Sequence, residues 1–310
     1  MFLLRSLCLL PLCLAGALLP ALSQSTQPIV VPLLHSRTVL PIVFARINGK
    51  GPYKFILDTG TNITLIDSSL FRELNLEERG TTSESSVSGM ALGKLGSARE
   101  ISIGGLSQRE VRVLEVNGIK RPDLGPTIRG VLGENFLCAF DVLIDNQHRQ
   151  ISFDTGDTLI LSLAGEHLPL TLSSQVHGIE VKDRPLVWAS IPSFDNVHLL
   201  HLLLDTGGES LILAPGEASK VRDLPAAYVP RRKFTTNNEG SPCALWKGHL
   251  RLGETTTRPI KIKSCTSPGA PDDDGTLPTF LFKRVFISHV HGFLILDPVD
   301  VGSSGQGSRR

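Results

Sequence analysis

The sequence predicts a mainly β molecule with a few short helices, folded as two related lobes. Three observations predict it. An apolar run ending in an acid, a hydroxyl and a glycine, Phe55-Ile56-Leu57-Asp58-Thr59-Gly60-Thr61, returns far down the chain as Leu202-Leu203-Leu204-Asp205-Thr206-Gly207-Gly208. The order of elements around the two copies is shared. Between them lie short runs of Val, Ile, Leu and Phe broken by Gly, Asn and Asp, the punctuation of strands and turns.

Each copy has a specific physical meaning. An apolar strand that delivers a carboxylate to its end puts a charge where burial is expensive unless hydrogen bonds or function compensate. The glycine behind it allows a tight turn with positive φ and close approach of another group. The threonine can fix that turn by a local hydrogen bond. Two such turns face to face set two carboxylates side by side, where they share one proton.

Composition bounds the alternatives. A chain of 310 residues with 41% hydrophobic and 20% charged content is globular and long enough for two domains. Its net charge of +1 gives no support for nucleic acid or an anionic membrane as partner. The one basic run, Arg231-Arg232-Lys233, reads as a solvated loop.

Residues 1–23 differ from the rest. Arg5 precedes the apolar run Leu7 to Leu19, and Ala21-Leu22-Ser23 offers small residues at the spacing of a cleavage site, so this segment reads as a secretory signal cut near Ser23. Pro11 and Pro20 interrupt a run already short for a bilayer span. The expected protein is exported, to a periplasm or the medium, with no stable membrane anchor after cleavage.

Export places the remaining cysteines where disulfides persist. Cys243 and Cys265 flank two strand-like runs joined by the turn-like Gly253-Glu254-Thr255, which predicts a bridge across a hairpin, the alternative being two buried thiols. Cys138 is expected single, in a core segment.

Along the chain, Gln24 to Leu34 is extended and punctuated by Pro, an edge strand or arm. Val39 to Ile47 and Tyr53 to Leu57 form a hairpin through Asn48-Gly49-Lys50-Gly51. Ile63 to Ile66 is a further short strand, and Ser68 to Leu74 a short helix capped by Asp67 or Ser68. The Ser- and Gly-rich stretch Thr81 to Ser97 reads either as a disordered surface loop or as a mobile hairpin closing over the acid.

The block opening at Gly130 and ending on the strand pair Phe140 to Ile144 and Gln150 to Phe153 is matched by one opening at Gly275 and ending on Val285 to Ser288 and Gly292 to Leu296. Asp58 to Gly130 spans 72 positions and Asp205 to Gly275 spans 70. The expected organisation is a first lobe at 24–160, a connector at 161–184, a second lobe at 185–301 and a disordered tail at 302–310.

With these residues in view, the chain resembles the aspartic peptidases of the pepsin and retropepsin type. Asp-Thr-Gly after an apolar strand, with Val131-Leu132-Gly133 about seventy residues on, carries the likeness. A signal segment plus two such lobes is most similar to the bacterial retropepsin-like aspartyl proteases. The resemblance implies two pseudo-symmetric retropepsin-like β-barrel lobes with a cleft between them that holds an extended polypeptide substrate. It implies Asp58 and Asp205 as the catalytic pair, Thr59 and Thr206 as threonines bracing the turns across the axis, Gly60 and Gly207 as turn glycines, and Ser88-Gly89-Met90 as the substrate flap. It implies no cofactor, no metal and a monomer. The chain departs from the family at Gly208, where Thr61 stands in the first copy, and at Thr276-Leu277-Pro278, where the first copy has Val131-Leu132.

Other chemistries fit less well. Asp154-Thr155-Gly156 repeats the triplet with no Gly-led block behind it and reads as a lobe-end turn. His289 and His291 have no third ligand nearby in sequence for a metal, and Asp272-Asp273-Asp274 in its Pro/Gly loop reads as solvated charge. Ser190 and Ser210 lack the flanking glycines of a nucleophile elbow. Two rivals stay open beside the aspartic endopeptidase: a catalytically silent binding protein on the same scaffold, and a homodimer pairing Asp58 from two chains.

Overall fold

A computed structural model of the chain describes residues 27–86, 89–117, 119, 127–176, 179–191, 199–218, 243–265 and 273–301. The signal segment, the Arg231 basic run, the tail, Ser88 and Asp272 lie outside these.

The described chain is mostly strand, as the alternation of apolar runs with Gly and Asn turns predicts. In the first half the strands are β1 (Ile29–Pro32), β2 (Ile42–Ile47), β3 (Lys50–Leu57), β4 (Thr64–Asp67), β5 (Glu77–Ser86), β6 (Gly89–Ile103), β7 (Leu106–Val116), β8 (Ile128–Leu132), β9 (Asp141–Asp145) and β10 (Gln150–Asp154). Short helices α1 (Ser68–Glu73), α2 (Glu134–Leu137) and α3 (Thr158–Ser162) interrupt them. The second half carries β11 (Leu163–Ala164), β12 (Leu168–Val176), β13 (Ile179–Ser190), β14 (Leu199–Asp205) and β15 (Leu211–Leu213), then α4 (Pro215–Ala218). It continues with β16 (Cys243–Gly248), β17 (Arg251–Leu252), β18 (Thr255–Thr256), β19 (Ile260–Cys265), β20 (Gly275–Pro278), β21 (Arg284–Ser288), β22 (Phe293–Leu296) and β23 (Val299–Asp300).

Strand pairing makes the duplication visible. In the first half β3 runs parallel to β8, β8 antiparallel to β4, β4 parallel to β7 and β7 antiparallel to β6. Pairing of β2 with both β3 and β6 closes six strands into a barrel. The second half repeats the path with β14, β20, β15, β19 and β16, with the same sequence of parallel and antiparallel steps. β13 pairs β14 and meets β17 at Ser190 and Arg251, as β2 meets β3 and β6. Even the register repeats: Gly130 lies beside Phe55, three residues before Asp58, and Gly275 beside Leu202, three before Asp205.

The two barrels are joined by a six-strand path ordered β1-β10-β9-β21-β22-β12. It reads the same from either end, because each half contributes an arm and a terminal hairpin, and β9 pairs β21 antiparallel across the centre. One apolar core runs through both halves, from Val31, Phe55 and Phe153 to Leu204, Val285 and Leu296. The stretch 161–184 is built of strand, since it carries β11, β12 and the start of β13.

The predicted local elements have clear causes. The first hairpin turns at Asn48 and Gly49, both with positive φ (50° and 78°), as its Asn-Gly dipeptide requires. α1 starts at Asp67, whose side chain accepts from the backbone N–H groups of Ser69 and Leu70 at 2.9 and 3.0 Å.

Candidate active site

Two aspartates emerge at matching strand ends. Leu57 and Leu204, 1% and 0% exposed, anchor the ends of β3 and β14, so each following acid is carried on a rigid, buried rail. Asp58 lies half-buried beyond β3 and Asp205, 6% exposed, closes β14.

The turns lock into each other through their threonines. The Thr59 backbone N–H donates to Thr206 Oγ1 at 3.0 Å, and the Thr206 N–H donates to Thr59 Oγ1 at 3.1 Å. Each hydroxyl then donates to the opposite strand, Thr59 Oγ1 to the Leu204 carbonyl at 2.6 Å and Thr206 Oγ1 to the Leu57 carbonyl at 2.7 Å. Every donor and acceptor in this buried square is satisfied from the other half. A threonine is suited to this because one small side chain both accepts and donates.

The grip brings the carboxyl groups together. Asp58 and Asp205 are within hydrogen-bond reach of each other. Asp58 is held by the Gly60 N–H on Oδ1 at 2.8 Å and by Thr61 Oγ1 on Oδ2 at 2.9 Å. Asp205 accepts from the Gly207 and Gly208 backbone amides. Burial pushes the Asp205 carboxyl well above its ordinary value, and the charge of Asp58 with their shared hydrogen bond pushes it further; the two amides only partly oppose this.

The glycines are required for a reason narrower than the sequence suggested. Neither Gly60 nor Gly207 has positive φ. What excludes a side chain is the facing acid: a Cβ on Gly207 would stand 2.4 Å from Asp58 Cγ, and one on Gly60 would stand 2.9 Å from Asp205 Cγ. At Gly208 a Cβ would meet Asp205 Oδ2 at 2.7 Å, so a Thr61 equivalent has no room there and a backbone amide supplies the bond instead.

Behind the first turn, Gly133 packs so closely on Thr61 that a Cβ would reach its carbonyl at 2.6 Å, and the Glu134 N–H donates to that oxygen at 2.8 Å. The corresponding support in the second half is β20, with Leu277 fully buried beside Leu204.

Of the expected flap residues, Gly89 and Met90 open β6, where Ser86 pairs Gly89 and Ser85 pairs Met90. Ser88 and the side chains of the other two lie outside the described residues. Cys243 and Cys265 stand opposite each other on β16 and β19. Their side chains likewise lie outside.

The remaining polar motifs have structural partners. Asp154 is 2% exposed and accepts from the Gly156 and Leu159 N–H groups at 2.9 and 2.7 Å, a turn at the base of α3. The acidic run is not solvated charge where described. Asp273 is buried against Arg184, and Asp274 accepts from the His201 N–H at 2.7 Å. The apolar surroundings on β13 and β14 were not visible from the Pro/Gly composition of the loop itself. Among the described residues no group of His, Cys, Asp and Glu is arranged to hold a metal, and no helix is long and apolar enough to cross a membrane.

Sequence reasoning missed Glu134 and the use of His289. His289 Nε2 lies 3.1 Å from Glu134 Oε2, with both side chains buried. An acid within the buried Gly-led block and a histidine in the corresponding turn of the other repeat were the available signals.

No curated protein matches the chain. Residues 43–136 match the family model described as aspartyl protease, a span that begins in β2, includes Asp58 and the β5–β6 hairpin, and ends in α2. The segment that builds the first barrel and presents Asp58 is thus similar to the aspartyl protease family.

Proposed function

We propose that this chain is an exported, monomeric aspartic endopeptidase in which Asp58 and Asp205 share one proton and activate a water against a peptide bond of an extended polypeptide. The observation that carries the reading is the contact of two carboxyl groups from repeated turns, one of them held protonated by burial and by its neighbour.

Roles follow from the surroundings of each acid. Asp58, supported by the Gly60 N–H and the Thr61 hydroxyl, is the anionic partner and takes a proton from the water. Asp205, the deeper of the two, carries the shared proton and gives it to the carbonyl oxygen as the water oxygen bonds to the carbon. The resulting tetrahedral diol collapses when the C–N bond breaks, the nitrogen taking a proton from the dyad and leaving an acid and an amine. No covalent enzyme intermediate is needed.

The test is cleavage of an unfolded protein by the purified chain lacking residues 1–23. Asp58→Asn and Asp205→Asn are each expected to lower kcat by at least about 10³-fold with the circular dichroism spectrum unchanged. Cleavage that survives Asp205→Asn would indicate a homodimer using Asp58 twice. No cleavage from acid to neutral pH would favour the silent binding protein. Export is supported by the composition of residues 1–23, and is tested by sequencing the N-terminus of the protein recovered from cells, expected near Gln24.

A further inference from the structure

Outside the dyad, a group of deeply buried titratable residues gathers where the terminal hairpin of the second half touches the first. In one direction the turn between β21 and β22 sits on α2 and β9. His289 places Nε2 at 3.1 Å from Glu134 Oε2 and Nδ1 at 2.7 Å from the Phe140 carbonyl. Ser288 donates to Asp141 Oδ2 at 3.0 Å, and the Val290 N–H lies 3.4 Å from its Oδ1. Glu134 in turn donates its N–H to the Thr61 carbonyl at 2.8 Å, and the Thr61 hydroxyl bonds Asp58.

The opposite direction performs the same clasp chiefly through an amide, with Arg284 Nε 3.9 Å from Asp145 Oδ2 beside it. Asn146, in the turn between β9 and β10, donates from Nδ2 to the Thr279 and Phe282 carbonyls at 3.1 and 2.9 Å, and from its N–H to the Lys283 carbonyl at 2.9 Å. These carbonyls belong to the 3-10 turn Thr279–Leu281 and its flank, which follows β20 as α2 follows β8. The two halves therefore hold each other by one clasp centred on the Asn146 amide and one centred on His289 and Glu134, and only the second touches the support of Asp58.

We infer that His289 and Glu134 are a cross-lobe positioning pair for Asp58, so that the second half fixes the first acid through Thr61 as well as through Thr206. This rests on the peptidase reading for its catalytic consequence, though not for its geometry. The groups facing His289 are Glu134 from α2 and Asp141 from β9; on its own turn His291 faces Asp157, at 3.5 Å. Burial pulls the His289 imidazole down, but the charge and contact of Glu134, the Phe140 carbonyl and Asp141 outweigh it, so His289 stays protonated above its ordinary range. A histidine raised in this way stabilises the clasp fully below its unfolded value and loses that contribution as pH rises through its folded value. The Asn146 amide does not titrate. Burial of Asp145 beside it is outweighed by the His148 bonds and by Arg284, so its carboxyl stays below its ordinary value and is already ionised where His289 loses its proton.

The experiment has two readouts. In the first, His289→Gln and Glu134→Gln are assayed with a peptide substrate. Each is expected to lower kcat about tenfold with KM within about twofold, to remove the part of the alkaline loss of kcat that follows His289 while leaving that of the shared dyad proton, and to be no worse when combined. Unchanged kcat in both variants, or loss in KM alone, would overturn the proposal. The second uses the Asp205→Asn protein, which needs no activity: the nuclear magnetic resonance signals of the His289 ring and the Gly60 amide are followed against pH. His289 is expected to titrate above the ordinary histidine value of about 6.5, with the Gly60 amide moving at the same midpoint. A Gly60 signal indifferent to that titration, or an ordinary His289 midpoint, overturns the pair even if the variants fail to fold. A protein that cleaves nothing yet shows the shared midpoint keeps the pair and sinks only the peptidase reading.

Discussion

At the scale of single residues, the burial of Asp205 has a measurable cost. A carboxyl whose folded value is raised stabilises the protein fully below its unfolded value and has lost that contribution once pH has risen through the folded one. An amide at this position cannot ionise, so Asp205→Asn escapes that loss. The variant is expected to melt above the parent protein by a margin that grows between about pH 4 and about pH 8, measured by thermal denaturation. A margin that is flat or reversed with pH would contradict the assignment of the shared proton. Much of this site was legible beforehand, because an apolar run into Asp-Thr-Gly is a costly arrangement that a sequence does not carry twice without use. The reciprocal role of Glu134 and His289 was not legible, since each is ordinary in its own segment and acquires a partner only when the two halves dock.

At the scale of elements, α1 depends on one acid. Asp67 caps the helix, bonds the Ser69 side chain and pairs with Arg129 at 2.6 Å, and Arg129 also reaches Glu73 and lies over the Tyr53 ring. Burial raises the Asp67 carboxyl, but the bonds from Ser69, Arg129 and the Leu70 N–H win and hold it below its ordinary value. Its contribution is thus present above the unfolded value and lost as pH falls through the folded one. Asp67→Ala is expected to cost about 1–3 kcal/mol in urea denaturation at neutral pH, and less in acid.

On the other hairpin, Cys243 and Cys265 stand at facing positions, and the bridge expected from sequence is a proposal that a thiol count tests. Thiol titration of the unfolded protein lacking residues 1–23 is expected to find one thiol, Cys138, before reduction and three after it. Helix and hairpin ends were readable because caps and Asn-Gly turns have local causes. The connector was not, because the alternation in Leu168 to Val176 becomes a strand only when β22 and β13 flank it.

At the scale of the whole molecule, the halves share one extensive core and a central sheet, and only a small cluster around Leu40, Ile56 and Val131 belongs to the first half alone. Calorimetry is expected to give one transition whose van't Hoff and calorimetric enthalpies agree. Two resolved transitions would mean that the docked surfaces contribute little. The repeated order of elements was legible from sequence; the central sheet was not, because β9 and β21 pair only when the halves dock.

The exchange of threonine bonds between the turns also sets a timetable. A ribosome delivers Asp58 early, but Thr206 and the strand that pairs with β9 come from the last third of the chain. Until that portion has emerged, the first acid has neither its counterpart nor its brace, and the site is incomplete.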